Sequence, residues 1–94
     1  MAILVIRHRV QDYGRWKAAF DEDAGVRQAH GSRRERIFHD VADADEVLVY
    51  LEWDEAERAQ LYARSGDLRD TMVQSGVVGR PDIWILKEED RTAF

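Results

Sequence analysis

Apolar positions along the chain follow two rhythms, and the switches between them mark the elements. Residues 2–10, AILVIRHRV, are rich in β-branched side chains and too short for an independent helix, which predicts a first strand. Asp12 then offers a helix N-cap, and Tyr13, Trp16, Phe20 and Ala24 recur at spacings of three and four. That is the apolar stripe of one amphipathic helix running to about His30, weakened by Gly14 and Gly25 and stopped by Gly31. RRERIFHD, 33–40, reads as a second strand with Ile37 and Phe38 on opposite sides, and the acidic VADADE joins it to a third strand, EVLVYLEW, 46–53. Asp54 is placed to cap the helix EAERAQLYARS. Gly66 interrupts that helix, and Asp67 is placed to restart it as LRDTMVQSG, with Leu68, Met72 and Val73 inward. Gly76, Gly79 and Pro81 predict a loop before the last strand, DIWILKE, 82–88. The tail EDRTAF, 89–94, has no periodicity and is expected to be loosely held unless Phe94 docks on a neighbour.

The order strand, helix, strand, strand, broken helix, strand is the ferredoxin-like β-α-β-β-α-β arrangement, an α+β fold. Its four-stranded antiparallel sheet carries helices on one face only, with strand order 4-1-3-2. The third strand, however, is apolar on both sides: Val47, Val49, Leu51 and Trp53 alternate with Glu46, Leu48, Tyr50 and Glu52. The first and last strands share this property, with Leu4 and Ile6 set against Ile3 and Val5, and Ile83 and Ile85 against Trp84 and Leu86. The helices can cover one of these faces, so a second copy of the same chain is the simplest cover for the other. The expectation is a single domain over 1–94, core about 2–88, that dimerises.

Composition narrows the function classes. The chain has 94 residues, 45% hydrophobic and 35% charged, without low complexity, which suits one globular domain. With no cysteine, disulfides and thiolate nucleophiles are excluded, and a metal site would need His, Asp and Glu alone. No paired spacing such as His-x3-His occurs, so no metal is expected. The apolar run before Arg7 is too short for a signal peptide or a membrane span, and the expectation is a cytoplasmic protein without a membrane partner. A net charge of −5 argues against nucleic acid.

The segments VQDYGRWKAAFDE, RIFHDVADADEVLVYLEWDEAERAQLY and SGDLRDTMVQSGVVGRPDIWIL resemble the dimeric α+β barrel superfamily over about residues 3–87. Within it the chain is similar to small bacterial cyclase-like or antibiotic-biosynthesis-monooxygenase-like proteins. The resemblance implies two ferredoxin-like subunits with their sheets face to face and cofactor-free chemistry on a small molecule. Monooxygenase-type members commonly carry a histidine in the helix after the third strand and another in a Ser-Pro-His segment. Here Tyr62 and Asp67 stand at the matching positions, while Glu52, followed by Trp53, remains similar.

Two histidines are the sharpest candidates for chemistry. In the 4-1-3-2 order His8 and His39 fall at the same sheet end, about 9–10 Å apart across two strand spacings, where one could act as a general acid or base. The plainer reading makes both hydrogen-bonded strand-end residues. Arg7 and Arg9 flank His8, with Glu52 or Tyr50 expected across from them; such an Arg–Glu pair orients a ligand anion or simply satisfies itself at a subunit interface. Arg33, Arg34 and Arg36 on an edge strand read as protection against stray strand pairing. Trp16, Phe20, Tyr50, Tyr62, Met72 and Trp84 are candidate walls of a cleft for a flat apolar molecule, and equally ordinary core. Two function classes follow. One is a homodimer doing cofactor-free cyclase, isomerase or monooxygenase chemistry on an apolar, aromatic or polyketide-like molecule, with His8, His39, Arg7 and Glu52 as its catalytic candidates. The other is a non-catalytic binding or assembly module.

Overall fold

In a computed structural model, which describes residues 2–93, the period-two segments pair into one antiparallel sheet. It comprises β1 (Ala2–Val10), β2 (Ser32–His39), β3 (Glu46–Trp53) and β4 (Val77–Lys87), in the order β2-β3-β1-β4. Helices α1 (Tyr13–Glu22) and α2 (Ala24–His30) connect β1 to β2, and α3 (Ala56–Ala63) and α4 (Gly66–Ser75) connect β3 to β4. This is the expected ferredoxin-like α+β fold with the expected strand order.

Register decides which residues share a face. Leu4 lies between Leu51 and Ile85, and Val5 between Tyr50 and Trp84. One face therefore collects Leu4, Ile6, Val47, Val49, Leu51 and Trp53, all nearly inaccessible, and receives Trp16 and Phe20 of α1, Ala59 and Tyr62 of α3, and Leu68 of α4. Each large apolar side chain buried there contributes about 1.5–3 kcal/mol. The opposite face holds Val5, Leu48 and Tyr50 at its centre, with Phe38, Trp84 and Leu86 still 43–45% exposed. Both faces of the sheet are apolar at their centres, and the helices cover only the first.

Several boundaries differ from the sequence reading. The long first helix breaks at Asp23, whose backbone (φ −91°, ψ 5°) closes α1 before α2 begins, and whose side chain accepts from Thr71 Oγ1 at 2.8 Å. Asp12 caps α1 as expected, accepting from Arg15 N at 2.9 Å. Asp54 does not cap α3; it pairs with Arg58 and Arg33. Ser65, not Asp67, caps α4, accepting from Leu68 N at 3.1 Å, while Asp67 in the first turn meets His30 Nε2 at 2.9 Å. Val73 points outward, because Leu68, Met72 and Ser75 at i, i+4 and i+7 take the inner face.

The last strand also starts earlier than predicted. It begins at Val77, and the register against β1 shifts between Arg7 and Arg9, so the extra residues Gly79 to Pro81 are absorbed as an irregularity instead of a loop. Because β4 is an edge strand, the missing N–H of Pro81 leaves no ladder bond broken on the outer side. Gly31 closes α2 at φ +119°, where a Cβ would sit 2.9 Å from Asp54 Oδ1, so this position requires glycine. Residues 88–93 have no regular structure, and Phe94 lies outside the described residues.

Candidate functional site

The only inward-facing titratable residue of β1 is His8, and it is 5% exposed. It faces Val47, which in turn faces His39 on β2, so the two histidines share one sheet row as the topology requires. They do not share surroundings. The His8 ring stands edge-on to Trp16 at 5.5 Å, under the helices, and neither ring nitrogen has a hydrogen-bond partner. The His39 ring lies at the exposed sheet end, edge-on to Tyr13 at 5.1 Å, with Nδ1 3.0 Å from the Asp40 carbonyl.

His8 opens onto a small cavity of ≈ 30 Å³ between the sheet and the helices. Four other sequence-predicted wall residues, Trp16, Phe20, Tyr62 and Met72, line it too. Trp16 and Phe20 stack at 5.1 Å and form its aromatic wall. Arg27, Thr71 and Ser75 supply the remaining polar edge. Burial holds the His8 imidazole down at about 4, against the smaller upward pull of the Glu46 charge, so the ring is neutral near pH 7. Burial likewise pushes the Tyr62 phenol up to about 12, keeping it a neutral donor. The cavity thus presents a neutral imidazole, a neutral phenol and two stacked aromatics to whatever enters it, with Arg27, Thr71 and Ser75 at its polar edge.

The other sequence-predicted residues lie elsewhere, for a reason fixed by strand alternation. Arg7, Tyr50, Glu52 and Trp84 all point to the sheet face away from the helices. Arg7 is exposed and bonds Asp82 at 2.9 Å, with Trp84 beneath its guanidinium at 6.0 Å; it does not face Glu52. Arg9 likewise holds Asp43 and Glu46. Glu52 lies 4.0 Å from Arg34 and shares a shallow hollow with Tyr50, Arg36 and Arg91. Arg7 and His39 meet only at the wall of a separate hollow at the sheet end. A joint site of His8, His39, Arg7 and Glu52 does not form.

Sequence reasoning missed Arg27. Its side chain is 2% exposed, donates to both carboxylate oxygens of Glu35 (2.6 and 3.0 Å) and to the Phe20 carbonyl (2.8 Å), and lies 3.5 Å over the Phe20 ring. The signal was present: Arg27 sits seven residues after Phe20, two turns along the apolar stripe. Among the described residues, no group of three or more His, Asp or Glu side chains is arranged to hold a metal ion. No helix there is long and apolar enough to cross a membrane.

No protein-family model and no curated protein matches the sequence. Solved structures are similar in fold. One, an antibiotic biosynthesis monooxygenase, superposes with TM-score 0.72 at 9% identity, over 96% of this chain and 100% of its own. SnoaB from Streptomyces nogalater, a cofactor-independent oxygenase, gives TM-score 0.75 at 12% identity, over 96% and 94%. A Mycobacterium tuberculosis protein gives 0.68 at 12% identity, over 99% and 100%. Sequence identities this low carry the backbone arrangement and no residue's role. The chain therefore has the ferredoxin-like α+β fold seen in the antibiotic biosynthesis monooxygenase structure and in SnoaB.

Proposed function

We propose that this protein binds a small, flat, mainly apolar molecule of aromatic or polyketide type between its helices and sheet, and moves a proton on it without a cofactor. The observation that carries this reading is His8, a neutral imidazole with both nitrogens unpartnered inside a cavity walled by Trp16, Phe20 and Tyr62. An unpaired buried polar group costs stability, about 1–3 kcal/mol, and a ligand hydroxyl or acidic C–H placed beside it would remove that cost. Burial keeps the ring neutral, so that one of its nitrogens is an acceptor. A carbanion or phenolate formed on the ligand supplies the countercharge that stabilises the imidazolium, so proton transfer and charge pairing occur together. The resulting carbanion could close a ring on a carbonyl of the same molecule or react with dioxygen, the chemistry named for SnoaB. We further propose that the chain acts as a homodimer through the exposed sheet face.

The small volume of the cavity favours a second reading, a non-catalytic module, since ≈ 30 Å³ is room for a water molecule and not for an aromatic ring unless a wall moves. Anthrone, a flat tricyclic ketone with an acidic C–H, distinguishes the two. In deuterated buffer without oxygen, the protein is expected to accelerate exchange of that hydrogen, with His8→Gln losing the acceleration while still binding anthrone. His39→Gln, outside the cavity, serves as the control and is expected to behave as wild type. Binding without accelerated exchange in the wild type would favour the module.

A further inference from the structure

Beside this small cavity, an open groove of ≈ 340 Å³ runs between α4 and β4, floored by Leu68, Met72, Val77, Pro81 and Ile83. The two spaces have two wall residues in common, Leu68 and Met72. Leu68 belongs to the core at 6% exposure, whereas Met72 is only partly buried, and its unbranched thioether can change rotamer at little cost. Met72 is thus the movable part of the partition. With it displaced, cavity and groove become one space in the size range of small-molecule sites, about 300–1,000 Å³.

The groove carries its own chemical signature. Arg64 and Arg69 form part of its wall. Most arginines of this acidic chain hold a carboxylate: Arg7, Arg9, Arg27, Arg33, Arg34, Arg58 and Arg91 all do. Among the described residues Arg15, Arg36, Arg64, Arg69 and Arg80 hold none, and of these Arg64 and Arg69 line the groove. Two uncommitted guanidiniums beside an apolar floor favour a ligand whose outer end is anionic, and a carboxylate fits the guanidinium fork.

Resting on the reading that an aromatic ligand occupies the cavity, we infer that groove and cavity are two compartments of one site for a hydroxyaryl carboxylate. The ring passes Met72 to lie against Trp16 and Phe20, its hydroxyl meets His8, and its carboxylate stays outside at Arg64 and Arg69. The arginines thus determine specificity, and Met72 governs access.

Calorimetric titration of the full chain with two probes tests this: plain naphthol, and a hydroxynaphthoate with hydroxyl and carboxylate at opposite ends of the ring pair. The wild type is expected to bind the hydroxynaphthoate about five- to tenfold more tightly than naphthol. That preference is expected to vanish in the doubly substituted Arg64→Gln, Arg69→Gln protein and to shrink in about 1 M salt. Stopped-flow association of both probes is expected to quicken at least about threefold in Met72→Ala, which removes the partition. Equal binding of the two probes by the wild type, or a preference that survives loss of both arginines, overturns the inference and leaves the aromatic cavity standing. If naphthol itself fails to bind, the cavity reading falls and this one with it. An unchanged association rate in Met72→Ala removes Met72 as the gate.

Discussion

The two ring nitrogens of His8 are cut off from solvent and from every protein hydrogen-bonding group, so its imidazolium form loses hydration without compensation. This sets both its chemistry and a pH signature. In the unfolded chain the ring takes up a proton below its ordinary 6.5, while in the folded protein it resists protonation down to about 4. Between those values the unfolded state binds more protons, so the contribution of a neutral His8 is fully present above pH 6.5 and is lost progressively as pH falls toward about 4. The loss across the window is about 3 kcal/mol. Carboxylates titrate in part of the same range, so the clean measurement is a difference. Urea unfolding of wild type and His8→Phe at about pH 7 and about pH 4 should show the wild type losing about 3 kcal/mol relative to the variant. A difference that stays constant with pH would mean that His8 is not held neutral by burial. Arg27 is buried by the opposite logic: Glu35 and the Phe20 carbonyl satisfy three of its donors.

At the scale of elements, the short helix α4 supplies the lids of both spaces, since Leu68 and Met72 line each. Its start depends on Ser65 Oγ accepting from Leu68 N. Ser65→Ala is therefore expected to destabilise the protein by about 1 kcal/mol, lowering the melting temperature by about 4–8 °C. It should also speed amide hydrogen exchange through Leu68 to Met72 more than in β1 or β3, and uniform exchange across the chain would contradict that assignment. The same helix shows what the sequence could and could not disclose. Strands β1 and β3 were legible almost to the residue because their two-sided apolar runs admit few alternatives. The α4 cap was misread because Ser65 and Asp67 are both good caps, and only the packing of Leu68 against the sheet selects between them. The β4 boundary was misread because Gly79 and Pro81 signal a loop locally, and only an edge position makes them compatible with a strand. At the site, alternation placed His8 and His39 in one row, yet nothing in the linear pattern told that α1 would cover one and leave the other exposed. Nor did it reveal that Arg7, Tyr50, Glu52 and Trp84 belong to the opposite face, since both faces read as apolar.

That opposite face governs the molecule as a whole. Its centre is apolar, with Val5, Leu48 and Tyr50 flanked by Phe38, Trp84 and Leu86, and its margin carries ion pairs of both signs, Arg7 with Asp82, Arg9 with Asp43 and Glu46, and Arg34 with Glu52. An apolar middle within a polar rim is the anatomy of an association surface, and alternating rim charges allow such a patch to meet its own copy across a two-fold axis. Two copies joined there would leave each α4 groove and each cavity on the outer, helical side, so dimer formation and ligand binding are separable. Trp84 is already 43% exposed in the single chain, so Trp84→Glu is expected to change the fold's own stability little while placing a charge beside the apolar centre of the proposed joint. Sedimentation equilibrium at micromolar concentration should then give twice the 10.9 kDa chain mass for the wild type and the single-chain mass for the variant, with naphthol affinity unchanged. A wild type that sediments as one chain would contradict the sheet-to-sheet dimer, and a variant that stays double would move the joint to another surface.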